Sequence, residues 1–146
     1  MKAYFAHIRR DGLKEQPMED HLLRVGNLMK EDAARIGLSS LAYLIGVLHD
    51  LGKCSKEFAY YLDWCHKHPE DNSRKGTVDH SSAGGQFLMQ RYGRRGDSAL
   101  LTVHIAALVI FSHHTGLMNY LGEDGVSDFL RRMEKIDVPE VDLSYY

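Results

Sequence analysis

The stretch from Ala99 to Phe111 is apolar on nearly every side. A helix without a polar face has to be covered all round, so this run predicts a central helix about which the rest of the chain packs. It is too short for a membrane span, and Thr102 and His104 interrupt it. It ends at a histidine doublet, His113-His114.

Most of the remaining chain carries the same helical period, and the predicted fold class is all-α. Leu22, Val25, Met29, Ala33 and Ile36 recur at three-to-four spacing, with Pro17 placed in the first turn and Gly37 as a stop. His21 falls in the first turn of this helix, beside the stripe. Ser39-Ser40 can cap a second helix, with Leu41, Leu44, Ile45 and Leu48 as its buried face. His49-Asp50 come at its last turn, and Gly52 reads as the terminator. Phe58, Tyr61 and Leu62 predict a short third helix, and residues 66–77 read as a polar loop. Thr77 or Asp79 can cap the next helix, which runs to about Tyr92 with His80 near its start. Gly84-Gly85 is poor for helix stability and marks a place where another helix packs closely. Gly93 to Gly96 is a turn, Gly125 to Lys135 predicts a final amphipathic helix, and residues 136–146 show no helical pattern.

Composition narrows the class. The 146 residues suffice for one domain with a core, and 44% hydrophobic against 26% charged residues is a globular balance. The net charge of −2 leaves no global basic field for nucleic acid, so any such binding must use local patches or bound metals. Two cysteines make no disulfide framework, which fits a reducing cytoplasm. The N-terminal segment has no apolar core of signal-peptide length.

The chemistry is carried by residues at helix ends. Imidazole is the commonest side-chain metal ligand, and a carboxylate can bridge two ions. His21, His49, His80, His113 and His114 are spread along the chain with one carboxylate, Asp50, among them, and Lys53 follows it. Tightly spaced metal motifs such as the zinc finger are absent, so a site here must be assembled by converging helix ends. Other histidines read differently. His104, in mid-helix, reads as a hydrogen-bonded core residue, His66 and His68 as solvated loop residues, and His7 is ambiguous. Arg9-Arg10, Arg94-Arg95 and Arg131-Arg132 read as solvated surface, one of them a candidate for holding a phosphate backbone.

The order His…His-Asp-x-x-Lys…His…His-His resembles the HD superfamily of metal-dependent phosphohydrolases. Asp-His-Ser-Ser-Ala-Gly around His80 and His-His-Thr-Gly-Leu after Ser112 narrow the resemblance. They are similar to the HD nuclease domain of the helicase–nuclease that degrades DNA in type I CRISPR interference. The resemblance runs from about Tyr4 to Leu117. It implies a compact helical domain, with His21, His49 and Asp50 at a first metal site. Asp50, His80, His113 and His114 match the second, Asp50 bridging the two. Lys53 matches the lysine that contacts the phosphate or activated water, so Asp50 and Lys53 are the catalytic candidates. One or two divalent transition ions are expected, from manganese, nickel, cobalt or iron, rather than oxygen-preferring magnesium. The implied partners are single-stranded DNA, a fused or separate CRISPR helicase domain and the RNA-guided surveillance complex; no membrane is expected. The family closes its first metal site with an aspartate on a late helix. Asp124, Asp128, Asp137 and Asp142 are the late carboxylates here, none in an apolar-flanked context. Residues 1–146 are therefore expected to form a single HD nuclease domain, as an N-terminal fragment of a longer helicase–nuclease. Two other classes stay open: an HD nucleotide phosphohydrolase acting on a small phosphate ester, and a non-catalytic helical interaction module.

Overall fold

Two glycines decide how the first two long helices meet. In the computed structural model, which describes residues 4–8 and 15–145, α1 (Met18–Asp32) and α2 (Ser39–Leu48) form an antiparallel hairpin. A Cβ placed on Gly46 would lie 2.6 Å from the Cα of Gly26, so the two backbones touch where no side chain could fit. Gly37, at φ 74°, ends the short 3-10 turn Ala33–Ile36 between them, as expected of a stop. The crossing sets His21, one turn before Gly26, beside His49, one turn after Gly46.

Four more α-helices follow among the described residues: α3 (Lys56–Lys67), α4 (Ala83–Tyr92), α5 (Asp97–Ser112) and α6 (Asp128–Met133). Ser55 caps α3 by accepting from the Phe58 amide, and Ser127 caps α6 through the Leu130 amide. Gly84-Gly85 packs as expected: added Cβ atoms would collide with the Leu48 carbonyl of α2 and the Phe111 ring of α5. The main core gathers Ile45, Leu48, Leu51, Leu88, Val103, Ala107, Ile110, Phe111 and Phe129. A second cluster holds Tyr4, Ala6, Met18, Leu22 and Cys54. The segment from Leu48 to Cys54 feeds both clusters, so Asp50 and Lys53 sit on their seam.

The all-α class holds, with one small addition: an antiparallel hairpin of β1 (Phe5–Ile8) and β2 (Glu15–Pro17), paired Phe5↔Pro17 and Ile8↔Glu15. Several finer expectations are corrected. Pro17 closes β2 and precedes α1 instead of standing in its first turn, because the Met18 amide is used by the Tyr4 carbonyl at 2.9 Å. Ser39 and Ser40 provide no side-chain cap, and Leu44 and Ile36 face solvent. Gly52 is no left-handed terminator. It lies in the 3-10 turn Leu51–Lys53, where a side chain has no room because the backbone of His80 passes 2.6 Å from where its Cβ would be.

The helix predicted at Ala99 is not covered on all sides either. One face of α5 leaves Leu101 64% and Ile105 48% exposed. Helix α3 runs to Lys67, so the polar loop starts later than expected. Helix α4 begins only at Ala83, which leaves His80 in the bend before it. The final helix is the short α6, not the whole of 125–135. In the tail Val141 bridges Ser55 and the Asp142 amide donates to the Cys54 carbonyl at 2.8 Å, and a 3-10 turn, Leu143–Tyr145, follows where no helical pattern was expected. The Arg9-Arg10 pair lies outside the described residues. No described helix is long and apolar enough to cross a membrane.

Candidate metal centre

Each histidine of the set arrives from the end of an element. His21 comes from the first turn of α1, His49 directly follows α2, His80 stands in the bend before α4, and His113-His114 follow α5. Asp50 sits between them, 2% exposed.

The two carboxylate oxygens of Asp50 face different groups. Oδ2 lies 3.1 Å from His21 Nε2, 3.2 Å from His49 Nε2 and 2.8 Å from Lys53 Nζ. Oδ1 lies 3.4 Å from His113 Nε2 and 3.7 Å from His80 Nε2. His80 and His114 approach each other, Nε2 to Nε2, at 2.8 Å. The donor atoms therefore fall into two groups sharing one carboxylate: His21, His49 and Asp50, and Asp50, His80, His113 and His114.

Backbone carbonyls orient two of the rings. His49 Nδ1 donates to the Gly46 carbonyl at 2.7 Å, and His113 Nδ1 to the Ile110 carbonyl at 2.6 Å. A carbonyl can only accept, so the proton of a neutral ring stands on Nδ1 and Nε2 presents a lone pair. His113 Nε2 and Asp50 Oδ1 are both buried and both lack a hydrogen-bond partner, although they are neighbours. Their proximity is thus an approach of two electron-rich atoms, which a cation between them would relieve.

Electrostatics follow from the packing. Burial pushes the Asp50 carboxyl up. His21, His49 and the Lys53 charge outweigh it and hold the group far below the usual carboxylate range. Burial also opposes charge on His49, but the contact with Asp50 prevails, and its pKa is raised. Burial takes His80 down to about 4, with Asp50 only partly offsetting it, and lowers His114 as well. The His80 group is thus neutral, and ready to ligate, over a wider pH range than His49.

The residues outside the set divide as their environments dictate. His104 is half-buried, shares a hydrogen bond with the Tyr120 hydroxyl at 2.8 Å and packs on Phe129, close to the expected core role. His68 closes α3 through the Trp64 carbonyl, and neither it nor His66 joins a donor group. Among the described residues, none of the four late aspartates joins one either. Asp142 takes the Tyr4 hydroxyl, Asp128 pairs with Arg131, Asp137 with Lys135, and Asp124 accepts from the Val126 amide.

Two neighbours of the centre were not singled out as functional from the sequence. His7 of β1 meets the His21 ring edge-on, centroids 5.4 Å apart, a placement that depends on strand register. Asp79 accepts from the amides of Ser81 and Ser82 at 2.9 and 3.1 Å and from Lys135 Nζ at 2.8 Å, which fixes the bend carrying His80. The adjacent Asp-His-Ser-Ser run held a signal for it, since an aspartate two residues before a free amide favours such a turn.

A family model described as "Cas3, HD domain" matches residues 3–134 of this chain. No curated protein matches it.

Proposed function

The chain belongs to the Cas3 HD domain family, and on that premise we propose that it is a metal-dependent nuclease cutting single-stranded DNA in type I CRISPR interference. The observation that carries the reading is the pair of buried, unpartnered, electron-rich atoms, Asp50 Oδ1 and His113 Nε2, at the centre of a ring of imidazoles. The donor set fits divalent transition ions, since imidazole nitrogen suits manganese, iron, cobalt or nickel better than magnesium.

Residues His21, His49 and Asp50 would hold one ion and Asp50, His80, His113 and His114 another. Such ions acidify water and neutralise charge on phosphate oxygens during phosphodiester hydrolysis. The protein's own contributions are separate. Asp50 spans both donor groups and fixes their spacing. The Gly46 and Ile110 carbonyls keep the lone pairs of His49 and His113 turned inward. Lys53, 2.8 Å from Asp50 Oδ2, keeps that carboxylate charged and adds a positive charge for the phosphate. Leu48 and Leu51, both in the main core, exclude water from below. The His80 side opens on a solvent-exposed groove, which favours a strand over an enclosed small phosphate ester. The helicase domain and the RNA-guided surveillance complex are its proposed partners.

The test combines metal analysis by mass spectrometry with a single-stranded DNA cleavage assay across manganese, nickel, cobalt and magnesium. Protein stripped by a chelator should regain ions and melt roughly 5–10 °C higher with ion at 100 times its Kd, a gain of about 2.7 kcal/mol. Neither bound metal nor a thermal shift with any ion would leave the non-catalytic module as the better reading.

A further inference from the structure

The groove beside His80 has a volume of about 610 Å³. One wall is the bend carrying His80, with Gly76 and Thr115; the other is α6 and the segment just after its end, with Arg131, Arg132 and Lys135. Three cations on one wall stand out in a chain whose net charge is −2.

Two carboxylates, Asp79 and Asp128, line the groove with them. The Asp79 side chain is only 8% exposed and receives Lys135 Nζ at 2.8 Å and Arg132 at 3.4 Å. Arg132 also donates to Ser81 Oγ at 2.7 Å. Two of the cations are therefore held at set positions by a buried carboxylate, while all three line the groove. Arg131 is the most open: its side chain is 71% exposed and its ion-pair partner among the described residues is Asp128 on the same helix, at 3.4 Å. An exposed pair of that kind is weak and readily yields to a phosphate.

We infer that this groove is a phosphate-binding subsite for the nucleic-acid strand beside the metal centre, with Arg131 and Lys135 contacting the strand and Arg132 and Asp79 holding the wall in place. The inference rests on the nuclease reading for the identity of the strand, but the groove needs no metal to bind it. Neutralising phosphates releases counterions, so each cation that contacts the strand adds about 0.7 to the slope of log affinity against log salt concentration for single strands.

The test is fluorescence anisotropy of a labelled oligothymidylate with the full chain, in chelator, over a salt series. The wild-type protein should bind at low salt. Arg131→Ala should weaken binding and flatten the slope by about 0.7, and Arg131→Ala with Lys135→Ala by about 1.4. Arg131→Lys should restore the slope. Arg94→Ala with Arg95→Ala, at the opposite end of α4 from the Asp79 bend, should leave it unchanged. Should the double variant unfold by circular dichroism, the exposed Arg131→Ala alone decides. The groove is overturned if the wild type does not bind, if Arg131→Ala binds like it, or if the Arg94/Arg95 control loses as much. A wild-type protein that takes up metal or cleaves but does not bind the oligothymidylate in chelator counts against the groove only. Intact strand binding without metal uptake or cleavage counts against the nuclease reading only.

Discussion

The two donor groups share Asp50 and are otherwise built in opposite ways. His21 and His49 stand on the two arms of one helical hairpin, locked where Gly26 and Gly46 bring backbones into contact. His80, His113 and His114 come from a bend and from the end of α5, both outside the hairpin, and His80 borders the open groove. The hairpin group is fixed by one contact between two successive helices but offers three donors; the other depends on separate segments converging and offers four. Rigidity and donor number are thus supplied by different parts of the fold. The four-donor group is the one expected to hold an ion tightly, and the three-donor group the one that keeps an open position.

The largest effect is expected where the groups meet. Asp50→Ala removes a ligand from both, and should cost roughly 10²–10³-fold or more in cleavage together with both ions. It also strands Lys53, 5% exposed, without its carboxylate, at about 3–5 kcal/mol. Adding Lys53→Met should recover the thermal stability but not the activity. Near wild-type cleavage by either variant breaks the idea of a shared bridge.

Single histidine variants separate the groups. His113→Ala should weaken the tightly held ion by at least about 100-fold, whereas His21→Ala should spare it. Native mass spectrometry at limiting metal reads this directly, and the reverse pattern would invert the comparison.

Acidity should distinguish the groups more gently. His49 has a raised pKa, so its proton persists to higher pH and must leave before an ion binds. As pH falls through that raised value, the hairpin group should lose affinity, by up to about tenfold per pH unit. His80, pushed down to about 4, takes up a competing proton only in much stronger acid. Metal titrations from pH 8 to pH 5.5 should therefore weaken one ion before the other; parallel loss would remove this distinction.

The smallest effects calibrate the rest. His66→Ala and His68→Ala, outside both groups, should change stability by no more than about 0.5 kcal/mol and leave metal content unaltered. A drop in metal content with either would mean that the chain binds ions elsewhere.

Much of this was legible without coordinates, for local reasons. A stripe at three-to-four spacing can only be buried along one helix face, so α1 was readable. Gly84-Gly85 was readable as a packing point, because helical glycine is unfavourable unless something needs the space. The donor histidines were readable as helix-end residues because stops and turns are local too. The β hairpin was not, since two short strands of four and three residues carry too little alternation to register. Nor was the exposed face of α5, because a residue's own polarity does not report how many neighbours the fold provides.

The linear order of residues by itself determined which chemistry was on offer: five imidazoles, one carboxylate and one lysine, set at the ends of periodic apolar segments. Only the tertiary structure decided which Asp50 oxygen faces which histidine, that Asp79 anchors the His80 bend to α6, and that cations line the groove beyond it. Those outcomes depend on contacts between residues tens of positions apart, such as Asp79 with Lys135 or Gly26 with Gly46. Such contacts are settled by packing the whole chain at once, and no local periodicity encodes them.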